Sequence, residues 1–184
     1  MNDTIKTIMS RYSCRDFDEK PLTEDQLKAI VDAALAAPSG MNRQPWHIIA
    51  ITDKALIDEL DAEGMKMLAA QEDKSAYERM MSRGGKLLYN APCMIIVTAE
   101  NPQGSALDCG ILTQNVALAA QSLGLGNVIV GMASMPLSGP KGDDFKKRLK
   151  FPQGYGFSMS ILIGTAKSGK DPHELDQSKV TYIK

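Results

Sequence analysis

Two arginines and a serine near the start of the chain have the chemistry of an anion-binding site. Arg11, Ser13 and Arg15 alternate along the sequence, and alternate side chains of an extended segment project to the same side. A guanidinium group can bind two phosphate oxygens at once through charge-assisted hydrogen bonds. The pattern therefore predicts a phosphate site. The alternative is a solvated basic segment that pairs with the acidic side chains of residues 16–19.

A second polar segment lies between a predicted helix and a predicted strand. Residues 38–46 read Pro-Ser-Gly-Met-Asn-Arg-Gln-Pro-Trp. The amides of Asn42 and Gln44 each offer a donor and an acceptor, which suit the edge of a heterocyclic ring. Loops on a rigid scaffold often carry binding residues, but Ser, Gly, Asn and Pro also build ordinary turns. We treat the segment as a candidate binding loop, with a plain turn as the alternative.

Two glycine-containing segments resemble nucleotide-binding motifs without meeting their requirements. Gly124–Gly131 follows a helix and precedes a strand, which is the reverse of the dinucleotide-binding order. Gly164–Lys170 fits the pattern G-x-x-x-x-G-K, but Asp171 stands where a P-loop needs Ser or Thr. A P-loop phosphotransferase therefore stays an alternative from another class. Three cations at this segment could instead complete the phosphate site, with a solvated surface loop as the equal alternative: Lys167, Lys170 and His173.

Periodicity and capping signals predict the elements that position these residues. The clearest helix begins at Thr23, which has capping-box spacing to Gln26, and it must end near Pro38. Other helices are predicted at Asp3–Met9, at Ser105–Leu123 with Ser105 as its cap and Gly124 as its end, and within Asp53–Leu88, broken around Gly64 and Gly84–Gly85. Four strands are predicted at Trp46–Ile51, Cys93–Thr98, Asn127–Met132 and Phe157–Ile163. This order predicts an α+β or α/β layer fold with a central sheet.

Length and charge limit the classes of function. A chain of 184 residues with 43% hydrophobic residues predicts one globular domain, residues 1–184. A net charge of −1 argues against a nucleic-acid partner, and no long apolar window predicts a membrane span. Three cysteines without a CxxC pair predict free thiols in the cytoplasm, and two distant histidines do not support a metal site. Because no nucleophile–base motif is present, we expect a bound cofactor to supply any chemistry.

The order of these segments resembles a known family. Residues 11–17, the helix that ends in residues 36–40, and residues 42–46 resemble the N-terminal signature of the nitroreductase family of FMN-dependent oxidoreductases. The resemblance continues through Asn90–Pro92 and Gln114–Gly126 and covers nearly the whole chain. It is weakest over Asp53–Leu88, where members of the family differ most.

The resemblance implies a fold, an activity and a partner. The fold would be α+β, a central mixed β-sheet flanked by helices, in a domain-swapped homodimer with FMN at the subunit interface. The activity would be ping-pong transfer of hydride from NADH or NADPH through FMN to a nitroaromatic, a quinone or a related small electron acceptor. No catalytic side chain is implied, since the chemistry belongs to the flavin. A flavin-binding carrier or sensor without turnover is the alternative.

The resemblance also implies which residues bind the flavin. Arg11 and Ser13 would hold the phosphate together with a tail lysine, and Arg15 would approach the pyrimidine side of the ring. The partner subunit would contribute its polar loop, and the backbone before and at Gly131 would face the ring. Val130 stands where many larger members carry an acidic residue. The implied cofactor-binding residues are Arg11, Ser13, Arg15, Pro38, Ser39, Gly40, Asn42, Gln44, Ile129, Val130, Gly131, Lys167 and Lys170.

Overall fold

The computed structural model describes residues 1–184 as seven α-helices around one four-stranded sheet. The helices are α1 (Asp3–Ser10), α2 (Glu24–Leu35), α3 (Lys54–Ala70), α4 (Ser75–Met81), α5 (Ala106–Ser122), α6 (Ser134–Ser138) and α7 (Gly142–Arg148). The strands are β1 (Trp46–Ile51), β2 (Cys93–Ala99), β3 (Gly126–Ile129) and β4 (Gly156–Gly164). Short 3-10 turns lie at Gly40–Asn42, Gly131–Ala133 and Gln177–Lys179. The predicted α+β class is confirmed.

The sheet has the strand order β1-β2-β4-β3, and all neighbouring strands are antiparallel. The parallel component expected of a mixed sheet is limited to one isolated bridge, between Ser13 and Asn127. All seven residues of β2 are buried. A central strand that is covered on both faces is apolar along its whole length, which is why Cys93–Thr98 could be predicted as a strand without alternation.

Helices cover both faces of the sheet and divide the core in two. Alternate residues of β2 face opposite sides. Met94 and Ile96 pack with residues of α3, α6 and α7, whereas Ile95 and Val97 pack with α2 and α5. The sheet is therefore the middle layer of three. No helix combines the length and the apolar character that crossing a bilayer requires.

The capping signals read from the sequence are confirmed at two helix ends. At the start of α2, the Thr23 hydroxyl accepts from the Gln26 N–H, and the Gln26 side chain accepts from the Thr23 N–H. After α5, Gly124 adopts φ +73°. The Leu125 N–H then donates to Ala120 O, and the Gly124 N–H donates to Gln121 O. This pair of bonds is a Schellman ending, which needs a left-handed residue.

Two predicted boundaries are wrong. Helix α3 runs unbroken through Gly64. The glycine is needed there for packing rather than for a break, because an added Cβ would lie 2.4 Å from Leu87 Cδ2. Strand β3 ends at Ile129 rather than Met132, since the chain turns at Gly131. The predicted cap position of α5 is confirmed at Ser105, although the Ser105 side chain makes no hydrogen bond to the first turn.

Candidate functional site

The two arginines and a tail lysine predicted to bind phosphate line one cavity. Arg11, Ser13 and Arg15 of the N-terminal segment line a cavity of about 290 Å³, and Lys170 of the C-terminal tail lines it as well. The remaining lining residues are Tyr12, Asp171, Pro172 and His173. Arginine, lysine and serine are donors that bind phosphate oxygens. The cavity therefore has the donor set of a phosphate site, with one carboxylate at its margin.

The N-terminal wall is held in an extended conformation by β3. Ser13 pairs with Asn127, and the Cys14 N–H donates to Asn127 O at 2.9 Å. Cys14 is buried in the core, so its neighbours on either side project away from it toward the cavity. Arg15 Nη1 also donates to Ser13 O at 3.3 Å. The predicted one-sided display of alternate residues follows from this pairing.

Neither arginine is neutralised by an acidic side chain. The ion pairs of the molecule involve neither Arg11 nor Arg15. The nearby carboxylates have other partners: Asp18 accepts from the Lys20 N–H, and Glu19 accepts from the Asn90 side chain. The alternative of a self-paired basic segment is therefore wrong. Two uncompensated guanidinium groups at one cavity favour an anionic ligand.

The second wall of the cavity belongs to the C-terminal tail, which is attached to the N-terminal segment by a series of backbone contacts. Phe17 and Ala166 form an antiparallel bridge. The Asp18 N–H donates to Thr165 O at 2.9 Å, and the Lys167 N–H donates to Asp16 O at 3.0 Å. Further along, the Tyr12 hydroxyl donates to Ser168 O at 2.9 Å. We refer to these contacts as the tail clasp.

The tail clasp separates the two candidate lysines. Lys170 and His173 line the cavity, whereas Lys167 does not. The tail continues without a helix after β4, although a P-loop must lead from its strand into a helix. Gly164 is also packed against Pro92, so that the backbone there is not free to cradle a phosphate. The P-loop alternative is therefore wrong.

The thiols near the site are not set up as nucleophiles. All three cysteines are buried and free. Burial raises the pKa of Cys14, directly behind the cavity, and raises that of Cys93 to about 12. A protonated, buried thiol is a poor nucleophile. Burial also raises the pKa of the Tyr12 hydroxyl, which keeps it a hydrogen-bond donor for the tail clasp.

The polar loop predicted to bind a ring is a strained turn away from the cavity. Met41, Asn42 and Gln44 have φ values of +53°, +54° and +47°. The Ser39 hydroxyl accepts from the Gln44 N–H at 2.9 Å, and the Gln44 side chain donates to Asn42 Oδ1 at 3.0 Å. A left-handed residue other than glycine costs about 1 to 2 kcal/mol, and such strain is typical of functional sites.

This loop and the phosphate cavity are not brought together within one chain. None of Pro38, Ser39, Gly40, Asn42 and Gln44 lines the cavity. The loop is largely exposed and lies between α2 and β1. The expectation that it acts on the other subunit's ligand stays a prediction.

After β3, the backbone has open space beside it at Gly131. The Val130 N–H donates to Ser160 O, and the Val130 carbonyl accepts from the Ser160 hydroxyl at 2.6 Å. Both backbone groups of Val130 thus have partners within the chain, and the expectation that the backbone of residues 129–131 faces a ligand stays a prediction. Ile129 is partly exposed. Gly131 is exposed, and a Cβ placed on it would meet nothing within 4 Å.

Large apolar side chains are exposed on the polar loop, at the start of α5 and on α1. Leu107 on α5 is 77% exposed, and Met41 is 79% exposed. On α1, Ile5, Ile8 and Met9 are also exposed. The apolar residues that encircle α5 in the sequence predict a buried helix, yet only one face of α5 is buried in the single chain. Exposed apolar side chains that lie together, as on α1, are typical of a protein interface.

Three residues near the candidate site make contacts that the sequence does not predict. Tyr12 orients the tail, and Ser160 fixes Val130. Asp108 reads as a helix-capping residue, but it contacts the polar loop instead. Each of these contacts joins positions at least 30 residues apart, which local spacing cannot reveal.

Comparison with known proteins places the chain in a family. Residues 8–165 match the nitroreductase family. A nitroreductase from Desulfitobacterium hafniense, solved with bound FMN, is 48% identical over the full length of both chains, with a TM-score of 0.96. An FMN reductase [NAD(P)H] from Bacillus subtilis is 28% identical and matches 100% of this chain and 76% of its own length. An NADPH-flavin oxidoreductase from Vibrio harveyi is 34% identical over 71% of this chain and 54% of its own length. The family match and the shared fold agree with the resemblance read from the sequence, and the chain is a member of the nitroreductase family.

Proposed function

We propose that the protein is an FMN-dependent oxidoreductase that takes reducing equivalents from NADH or NADPH and delivers them to a nitroaromatic, a quinone or a related small acceptor. The observation that carries the proposal is the cavity lined by Arg11, Ser13, Arg15 and Lys170. It occurs in a chain that is 48% identical to a nitroreductase with bound FMN.

The donor set of the cavity fits the phosphate of FMN. Two guanidinium groups, one ammonium group and one hydroxyl converge there. A phosphate monoester carries a charge of about −1.5 to −2 at pH 7, so these groups can neutralise it. We assign Arg11, Ser13 and Lys170 to the phosphate, while Lys167, outside the cavity, is not required. Arg15, in the same wall, is assigned to the adjoining pyrimidine side of the flavin.

The ring would lie against the backbone at Gly131. Because the N–H of Val130 is committed to Ser160, we assign the N–H donor that faces the ring to Gly131. The absence of a side chain there leaves room for a flat ligand. The Val130 side chain is apolar and buried, so no carboxylate is supplied beside the ring from this position.

The chain's own groups would bind and orient rather than react. When bound, FMN accepts a hydride from NADH or NADPH and passes electrons to a second molecule in a separate step, which gives ping-pong kinetics. The guanidinium group of Arg15 would stabilise negative charge on the pyrimidine side, in the manner of an oxyanion hole. No side-chain acid is assigned, since solvent can supply protons.

A second copy of the chain would complete each site. The apolar surface of α1 and α5 supports a homodimer, because it has the character of an interface. The polar loop of residues 38–44 borders this surface and does not line the cavity of its own chain. We therefore propose that Pro38, Ser39, Gly40, Asn42 and Gln44 serve the flavin bound to the partner subunit.

A spectroscopic experiment tests the proposal. Purified protein reconstituted with FMN is mixed anaerobically with NADPH, and separately with NADH, while the oxidised flavin absorbance is followed. We expect the absorbance to bleach within seconds and to return when a quinone is added. Failure to bind FMN would contradict the proposal. Binding without bleaching by either nucleotide would favour the carrier or sensor alternative.

A further inference from the structure

Asp108 makes an unusual contact for a residue in the first turn of a helix. Its sequence position suits a capping box with Ser105, but the Ser105 N–H donates instead to Asn101 O. The Asp108 carboxylate turns away from its own helix. Its Oδ1 accepts from the Gly40 N–H at 3.1 Å, across 68 residues of sequence. A helix that forms one layer of the core is thereby connected to the polar loop.

This contact is the hydrogen bond that connects the loop to another element of the fold. The other hydrogen bonds of residues 39–44 close the loop on itself: Asn42 N to Ser39 O, Arg43 N to Gly40 O, and Gln44 N to Ser39 Oγ. Such bonds fix the shape of the loop but not its orientation. The left-handed backbone of Met41, Asn42 and Gln44 is strained. Such a conformation persists only where surrounding contacts hold it in place.

We propose that Asp108 is a positioning residue for flavin binding, acting through the Gly40 amide. The inference rests on the proposed function, in which the loop lines the flavin of the partner subunit. A hydrogen bond to an ionised carboxylate is stronger than one between neutral groups, so it suits a single anchoring point. A loop held in its bound orientation pays less ordering entropy when the ligand arrives. Asp108 touches no ligand itself.

The test compares two substitutions at Asp108. Asp108→Ala removes the acceptor, and Asp108→Asn keeps an oxygen that can accept from Gly40. We expect Asp108→Ala to raise the Kd for FMN about tenfold and to change the visible circular dichroism of the bound flavin. Asp108→Asn should stay close to the wild type in both measurements. Thermal unfolding of the apoprotein is measured in parallel.

A matched control removes a carboxylate from another helix start. Asp143 lies in the first turn of α7 and is fully exposed. Asp143→Ala should leave the FMN affinity and the flavin spectrum unchanged. If Asp108→Ala proves too unstable to assay, Asp108→Ser serves in its place, because serine is tolerated at helix starts and is too short to reach Gly40.

A double-mutant cycle tests the route of the effect. If Asp108 acts by orienting the loop, Asn42→Ala should weaken FMN binding less in the Asp108→Ala background than in the wild type. Additive effects would overturn the inference. An Asp108→Ala protein with wild-type affinity and spectrum, or an Asp108→Asn protein as impaired as Asp108→Ala, would overturn it as well. A wild-type protein that fails to bind FMN would contradict the proposed function instead.

Discussion

At the scale of single residues, the charge balance of the cavity dominates its chemistry. Arg11, Arg15 and Lys170 bring three positive charges to one small space. Asp171 offsets one of them, and the His173 side chain also lines the cavity. The remaining excess matches the roughly two negative charges of a phosphate monoester. Each of the cations should therefore contribute measurably to affinity for a phosphorylated flavin.

Removing one guanidinium group should weaken cofactor binding. We expect Arg11→Ala to reduce the free energy of FMN binding by ~1.5 to 3 kcal/mol, the usual value of a hydrogen bond to a charged group. Flavin fluorescence titration measures it. Lys28→Ala is a suitable control, because it removes one positive charge from an exposed pair on α2. Equal affinity for Arg11→Ala and the wild type would remove Arg11 from the site.

The two tail lysines should differ in effect. Lys170 lines the cavity and Lys167 does not, although they are three residues apart and carry the same charge. We expect Lys170→Ala to weaken FMN binding by ~1 kcal/mol, the net value of one hydrogen bond. Lys167→Ala should leave it unchanged when both variants are titrated in the same buffer. The opposite order would contradict the orientation of the tail.

The open space at Gly131 gives a steric prediction. Gly131→Ala should fold normally, because its Cβ meets nothing within 4 Å, yet it should raise the Kd for FMN about tenfold by occupying the space against the ring. Gly64→Ala is the counterpart, since its Cβ would lie 2.4 Å from Leu87. It should cost ~1 to 3 kcal/mol of stability by overpacking. Wild-type affinity for Gly131→Ala would place the flavin elsewhere.

At the scale of elements, two buried carboxylates attach helix α3 to neighbouring segments of the chain. Asp61 is almost fully buried and accepts from the Leu88 N–H at 2.6 Å, with Lys86 Nζ at 3.7 Å. Glu63, also buried, pairs with Lys141 at 3.1 Å. The Asp61 contacts fix the segment after α4 against α3, and the Glu63 pair attaches α3 to the start of α7.

The pH dependence of stability should report on Asp61. Burial raises the pKa of Asp61 above its ordinary value. An acid whose folded-state pKa is raised favours folding at low pH, and that contribution is lost as the pH rises through the folded pKa. Asp61→Asn cannot ionise and still accepts from Leu88. We therefore expect the Tm of Asp61→Asn to rise relative to the wild type as the pH increases above about 4, the ordinary pKa of an aspartate.

The control for this experiment removes the acceptor altogether. Asp61→Ala leaves the Leu88 N–H without its partner, which should cost ~1 to 3 kcal/mol relative to Asp61→Asn at every pH. A difference in Tm between Asp61→Asn and the wild type that stays constant with pH would contradict the raised pKa.

Local signals explain which elements the sequence could predict. The capping box of Thr23 and Gln26, and the left-handed Gly124, depend on neighbours a few residues away, and both are confirmed. The helix break predicted at Gly64 is wrong because this glycine makes room for Leu87, a residue that is distant in the sequence. Helix α5 appears buried in the sequence because its outer face is apolar, although that face is exposed in one chain.

The candidate site likewise has one part that local spacing predicts and another part that depends on contacts between distant segments. Arg11, Ser13 and Arg15 could be grouped from their alternation, since a strand-like segment fixes their side. The approach of Lys170 depends on the tail clasp, which joins segments some 150 residues apart. The roles of Asp108 and Ser160 depend on single long-range hydrogen bonds. Neither spacing nor composition encodes such contacts.

At the scale of the whole molecule, the proposed homodimer predicts complementation between defective subunits. Dimers that combine an Arg11→Ala chain with an Asn42→Ala chain, isolated with two affinity tags, would hold one doubly altered site and one unaltered site if the loop acts on the partner. We expect one of the two sites to regain wild-type FMN affinity. If the loop acted within its own chain, both sites would carry one defect and neither would recover.

The tail clasp also governs when the phosphate cavity can form during synthesis. One wall is made within the first fifteen residues and the other only at Lys170. A nascent chain still attached to the ribosome thus carries half of the cavity until the tail has left the exit tunnel. Capture of the cofactor must wait until the tail has emerged, and a protease that cuts after Thr165 should free the flavin while leaving every strand of the sheet in place.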